Sequence, residues 1–543
     1  MIRNKIMSAD AAIALIRDGD TLSCSGFVGI GTPEVLIAAL ERRFLDGAGP
    51  HGLTLVFAAA PGDGKAQGLN RVAHAGLIKR AIGGHWALLP KLATLAVDNR
   101  IEAYNLPLGV ISHLYRDAAA HRAGTLTKVG LGTFVDPRQE GGRINACTTD
   151  DLVRVMTIDD EEWLFYKAFA IDVAFIRGTT ADAAGNISME REALLLDIQA
   201  AAMAARNANG LVIAQVERIV GDGEVDPCQV VVPGILVDCV VLAQPEAQPQ
   251  TYATNYDPAF SREARMLHHE IAVAPLDERK LIARRCAFEL PLGGVINLGI
   301  GMPEVLAAVA AEEQVLDQVT LTTEPGVIGG MPQGGLDFGA AVNTHALLHQ
   351  NQQFDFYDGG GLDLACLGMA QIDRLGNVNV SRFGPRLAGA GGFINISQNA
   401  GRLVFAGTFT AGNLKVAIDA DGVRIIAEGS VRKFVHAVEQ ITFSGPVAAA
   451  RDQTVLYVTE RCVFKLCQGG LQLIEVAPGI DIERDILAHM GFQPRIEQVK
   501  IMDACLYRPA PMALAAWLRE HQHSHCGAVC DHAAPCSTTE GMN

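Results

Sequence analysis

Short runs of apolar and β-branched residues alternate along this chain with longer stretches whose apolar positions recur at helical spacing, and glycine-rich turns separate them. Residues 9–17 read as a short opening helix. Residues 19–25 read as a strand leading into the glycine turn of GFVGIGTPEVLIAAL, residues 26–40. There Pro33 suits a first helical turn, Glu34 suits a positive helix start, and Val35, Leu36, Ala39 and Leu40 form an apolar face. GLVIAQV from Gly210 and GRLVFAG from Gly401 read as strands, and 189–207 as an alanine-rich helix stopped by Gly210. Residues 319–323, rich in β-branched side chains, predict a short buried strand ended by Pro325 and Gly326. Strand, glycine turn and helix in alternation predict an open α/β fold.

The pattern is used twice. GIGTPEVL at 29–36 returns as GIGMPEVL at 299–306, and IDVAFIRGTTADAAGNIS at 171–188 returns as LDLACLGMAQIDRLGNVN at 362–379. In the second pair Asp172, Asp182, Gly185 and Asn186 align with Asp363, Asp373, Gly376 and Asn377. Two related open α/β domains follow, with an insertion in the first half placed within 68–146. The first domain is read as 1–242 and the second as 259–520. Between them, 243–258 reads as a linker from its prolines and glutamines. Inside the insertion, 129–145 predicts a strand and a turn-rich loop carrying Arg138 and Arg143.

At 543 residues one core is too small a unit, which agrees with two domains. A net charge of −16 argues against nucleic acid or an anionic membrane as partner, so an anionic ligand must be held by local dipoles. No apolar run is long enough to span a bilayer, the N-terminus lacks a signal-type apolar core, and most cysteines stand singly among apolar residues; a cytoplasmic protein with free thiols is expected. The ending 521–543, with four histidines and Cys526, Cys530 and Cys536, reads as a disordered tail rather than a zinc site.

Glu324 stands where the 319–323 strand meets a loop carrying Gly326, Gly329, Gly330, Gly334 and Gly335. Strand ends of this kind are where open α/β folds place ligands. A gapped alignment of 53–64 with 319–330 sets Ala60, Pro61 and Gly62 opposite Glu324, Pro325 and Gly326. A structural carboxylate would recur in both halves, whereas a catalytic one is needed once. Such a group can act as general base, as in a sugar-phosphate isomerase, as metal ligand or as covalent nucleophile. A metal would need help from Asp337, or from His345 and His349, which read as one face of a helix rather than ligands; no metal site is assigned. The glycine clusters match neither a dinucleotide fingerprint nor a P-loop.

Taken together, GIGTPEVL, GIGMPEVL, TTEPGVIGGMPQGG, GGLDLACLGMAQIDRLGNVNVS, GAGGFINIS, TERCVFKL and LIEVAPGIDIERDI resemble the family I CoA-transferases over nearly the whole chain, most closely their single-chain propionate (acetate, short-chain acyl) subgroup. The resemblance implies that Glu324 is the catalytic residue. It also implies ping-pong exchange of coenzyme A between acyl-CoA and acetate, propionate, butyrate or lactate through a glutamyl-CoA thioester. The amides of Gly299, Ile300 and Gly301 are candidates for the anion and CoA site, with Gly359, Gly360, Gly361 and Gly391 as others. Phe27, Phe134 and Met302 are candidates for the acyl pocket. No cofactor beyond coenzyme A as co-substrate is implied, and a homo-oligomer is expected. An acyl-CoA hydrolase on the same scaffold, and a non-catalytic acyl-CoA or metabolite sensor, are the alternatives.

Overall fold

The computed structural model describes residues 5–266 and 274–522. In the first half, parallel strands β1 (Thr21–Cys24), β2 (Leu53–Phe57), β3 (Ile78–Gly83), β4 (Glu102–Asn105), β5 (Val173–Asp182), β6 (Leu211–Val220) and β7 (Cys239–Leu242) lie in the order β4-β3-β2-β1-β5-β6-β7. β5 is buried along its whole length, as a strand covered on both faces requires. In the second half, β8 (Val295–Leu298), β9 (Thr320–Thr323), β10 (Leu364–Gly368), β11 (Arg402–Ala406) and β12 (Thr454–Val458) lie in the parallel order β9-β8-β10-β11-β12. The run β2-β1-β5-β6-β7 therefore has the same topology as β9-β8-β10-β11-β12, and the fold is two related α/β units.

The repeat extends to individual hydrogen bonds. Asp172 accepts from the Thr21 amide at 2.8 Å, and Asp363 accepts from the Val295 amide at 2.7 Å, each tying the start of one strand to its neighbour. Asp182 accepts from the Asn186 amide and side chain at 2.9 and 2.8 Å; Asp373 accepts from those of Asn377 at 3.1 and 2.9 Å. Both turns pass through a glycine at positive φ, Gly185 at 87° and Gly376 at 79°.

The additional chain of the first half runs further than 68–146. Between β2 and β5 it adds β3, β4, the helices Pro90–Val97 and Leu108–Ala119, and an antiparallel sheet of Gly124–Thr127, Val153–Ile158 and Glu161–Lys167. The expected strand within 129–145 is a series of turns. Arg138 is held there by Asp136 and Glu162, each at 2.8 Å, and Arg143 by Asp151. The alanine-rich helix starts only at Ile198, because Leu196, two residues before it, adopts φ 54°. His345 and His349 do not share a helix: His349 caps the helix Gln350–Asp358, and the short strand Ala346–Leu347 lies between them.

Within the stretch 243–258, residues 248–252 are packed. Gln248, Gln250 and Thr251 are buried, the Arg177 guanidinium donates to the Pro249 carbonyl at 2.8 Å, and the Tyr252 hydroxyl donates to Glu34. Gln248 donates to the Gly178 carbonyl and Gln250 to the Arg191 carbonyl, so these two satisfy polar groups of the first half, while Gln244, Pro245 and Glu246 are exposed. Cys24, Cys286, Cys366 and Cys462 are buried thiols outside any disulfide. Among the described residues no helix is long and apolar enough to cross a membrane. The histidine- and cysteine-rich stretch lies, beyond its first two residues, outside the described residues.

Candidate active site

The carboxyl ends of β8, β9 and β10 open on one cavity of about 570 Å³, and the first half closes its other wall. The second half contributes Glu324 after β9, Gly299 and Ile300 after β8, Leu367 and Gly368 from β10, and the turn 388–393. Opposite stand Phe27, Val28, Ala59, Ala60, His85 and Leu88. Ala60, the counterpart of Glu324 in the alignment, follows β2 and lines the same space. Among the described residues, one cavity thus receives two equivalent strand ends and a single acid. Its size falls in the range of small-molecule sites.

Backbone hydrogen bonds hold the two walls together. Gly391 donates to the Gly84 carbonyl at 2.8 Å and accepts from the Leu108 amide at 2.9 Å, while the Trp86 amide donates to the Ala388 carbonyl at 2.8 Å. Asn105 accepts from the Ala390 amide at 2.9 Å. Residues 388–392 are therefore set by the first half's strand ends as much as by their own sheet. Phe27 and Phe338 pack across the seam with ring centres 5.7 Å apart.

Glu324 keeps part of its surface open to the cavity, and no cation pairs with it among the described residues. Its surroundings are mostly apolar, so desolvation pushes its carboxyl up to about 7, opposed by a hydrogen bond from the Gly392 amide. A half-ionised, unpaired carboxylate facing an apolar cavity is suited to nucleophilic or general-base work.

The glycine candidates separate once their amides are followed. The Gly299 amide donates to the Cys366 carbonyl at 2.9 Å, and the Gly391 amide to Gly84, so neither is available to a ligand although both residues line the cavity. The Gly301 amide is directed at Glu304. Ile300 is 54% exposed, and its amide makes no hydrogen bond among the described residues. Gly359, Gly360 and Gly361 do not line the cavity: their amides close the helix Gln350–Asp358 by donating to Asp355, Tyr357 and Phe356. Of the pocket candidates, Phe27 lines the cavity, Phe134 is buried in the core, and Met302 packs beside the second half's own core. Asp337 accepts from the Thr251 hydroxyl. Among the described residues no group of three His, Cys, Asp or Glu side chains is placed to hold a metal ion.

Two residues at the cavity escaped the sequence reading. Gly392 lies directly behind Glu324: its φ of −81° is ordinary, yet a Cβ there would collide with the Glu324 carboxylate. His85 follows β3 in the Gly83-Gly84-His85 segment, and desolvation lowers its imidazole to about 4. The signal was present, a histidine after a glycine pair at a strand end, but it fell inside the insertion, where the repeat offers no counterpart.

The family described as coenzyme A transferase matches residues 6–243. The caffeate CoA-transferase of Acetobacterium woodii is 44% identical over 510 residues, covering 93% of this chain and 97% of that protein. The acetate CoA-transferase YdiF of Escherichia coli K12 is 42% identical over 513 residues, 94% and 96% respectively. The crystal structure of the acyl-CoA transferase YdiF from E. coli O157:H7, a thioester complex with CoA, matches with a TM-score of 0.88 and 41% identity, covering 94% of this chain and 97% of that one.

Proposed function

The chain belongs to the coenzyme A transferase family, and from that premise we propose that it moves coenzyme A between short-chain acyl-CoA and free carboxylates through a covalent thioester on Glu324. Donors of the propionyl-CoA and acetyl-CoA type and acceptors such as acetate, propionate, butyrate or lactate are the proposed substrates, which makes the chain a propionate CoA-transferase in kind. The observation that carries the reading is Glu324 itself: one unpaired carboxylate at a strand end, in an apolar cavity built by both halves. The relative YdiF, solved as a thioester complex with CoA, supports it.

The ionised Glu324 carboxylate attacks the thioester carbonyl of acyl-CoA. The C–S bond breaks, leaving an acyl-glutamyl anhydride and CoA thiolate. The thiolate then attacks the glutamyl carbonyl, expelling the acyl group as its carboxylate and leaving glutamyl-CoA. An acceptor carboxylate repeats these steps in reverse and leaves as the new acyl-CoA. Each attack creates an oxyanion, for which the Ile300 amide is the free backbone donor of the predicted set. The apolar walls Phe27, Val28, Leu88 and Leu336 keep water from the anhydride, and desolvation strengthens the nucleophile. Assaying propionyl-CoA with acetate tests this: wild type exchanges, and Glu324→Gln loses at least about a thousandfold in rate. Equal exchange in the variant would remove the assignment.

A further inference from the structure

The cavity has to bind an anionic acceptor, yet no lysine or arginine among the described residues lines it. Besides Glu324, its polar side chains are His85, Asn297 and Thr323. Asn297 donates to the Thr322 carbonyl at 3.3 Å and to the Tyr357 hydroxyl at 3.2 Å; Thr323 donates to the Gly339 carbonyl at 3.4 Å. Both spend their donors on the protein. The His85 ring makes no hydrogen bond with the described residues. Its place is fixed by the seam, because Trp86 and Ala87 both donate to the Ala388 carbonyl, at 2.8 and 2.9 Å.

His85 and Glu324 also flank one turn. A Cβ on Gly391 would lie 3.7 Å from His85 Cδ2, and a Cβ on Gly392 would meet the Glu324 carboxylate. Both side chains line the one cavity, from opposite halves of the chain.

We infer that His85 seats the acceptor acid, its ring N–H donating to the carboxylate oxygen that does not attack the glutamyl carbonyl. The inference rests on the CoA-transferase reading and adds the residue that recognises the second substrate. Burial keeps the imidazole neutral near pH 7, with one N–H to donate. A neutral donor suits a substrate that must remain nucleophilic, since a fixed cation at this place would pair with the acceptor and with Glu324 alike.

Steady-state kinetics of the full chain with propionyl-CoA and acetate test the assignment, comparing wild type, His85→Ala and His85→Gln. Loss of one hydrogen bond to a charged group is expected to raise the KM for acetate about tenfold or more in His85→Ala. Its kcat at saturating acetate stays within about twofold, and glutamyl-CoA still forms from propionyl-CoA alone. His85→Gln, which retains an N–H donor, recovers part of the loss. An unchanged KM for acetate in His85→Ala, or equal falls in kcat and in adduct formation in both variants, would overturn the role. Wild type that forms no adduct and exchanges nothing would defeat the transferase reading itself, and this inference with it.

Discussion

The Glu324 carboxylate occupies the volume that any side chain at residue 392 would need, and it takes a hydrogen bond from the Gly392 amide. The backbone at Gly392 suits any L-residue, with φ −81°, so only space demands glycine there. Gly392→Ala is therefore expected to push Glu324 aside. A displacement near 1 Å costs on the order of a hundredfold in kcat, with roughly 1–3 kcal/mol of overpacking strain. Exchange rates and thermal unfolding of the variant check this; wild-type activity would show that Glu324 does not need its present position.

The pH dependence should report the same carboxylate. Only the ionised form attacks, and desolvation holds Glu324 up to about 7. The rate of glutamyl-CoA formation from acyl-CoA should rise with pH and level off above about 7. Stopped-flow or quench measurements between pH 5 and 9 test it, and a plateau already complete at pH 5 would contradict the desolvated site.

Glu324 should also cost stability. Its pKa is raised above the ordinary value of 4.5, so the folded state holds the proton more tightly than the unfolded state does. The contribution of Glu324 to stability is then greatest below about 4.5 and falls as pH rises toward about 7. Glu324→Gln removes that penalty: the inactive variant is expected to be more stable than wild type by about 2 kcal/mol at pH 8, and the difference should vanish near pH 4. Paired denaturation curves at the two pH values decide it.

Residues 248–252 should behave as packed structure. With Gln248, Gln250 and Thr251 buried and Tyr252 bonded to Glu34, limited proteolysis is expected to leave them intact. Tyr252→Ala, which removes the contact with Gly29 and Glu34, should lower stability by about 2–4 kcal/mol. Rapid cleavage within 248–252 of the wild type would contradict the packing.

What the sequence disclosed and what it concealed have physical causes. Glu324 was legible because a β-branched run halted by Pro325 and Gly326 fixes a strand end, and the duplication left Ala60 as its empty counterpart. The repeat was legible in Asp182-Gly185-Asn186 and Asp373-Gly376-Asn377 because each trio closes one turn with the same bonds. The glycine amides were not: whether Gly299 or Gly391 can serve a ligand depends on Cys366 and Gly84, strand partners far away in the chain. Composition did not disclose that Gln248, Gln250 and Thr251 pack inward, since proline and glutamine fit a packed polar seam as well as a linker. His85 was hidden because its meaning comes from the Ala388 strand end that it meets across the two halves.

The central claim is that Glu324 carries coenzyme A. Mass spectrometry of the intact chain and of its peptides after incubation with propionyl-CoA, with and without borohydride, tests it most directly. A coenzyme A adduct confined to Glu324, reduced by borohydride to the alcohol and absent in Glu324→Gln, is the predicted result. Exchange proceeding with Glu324 unmodified, or an adduct on another residue, would contradict the account.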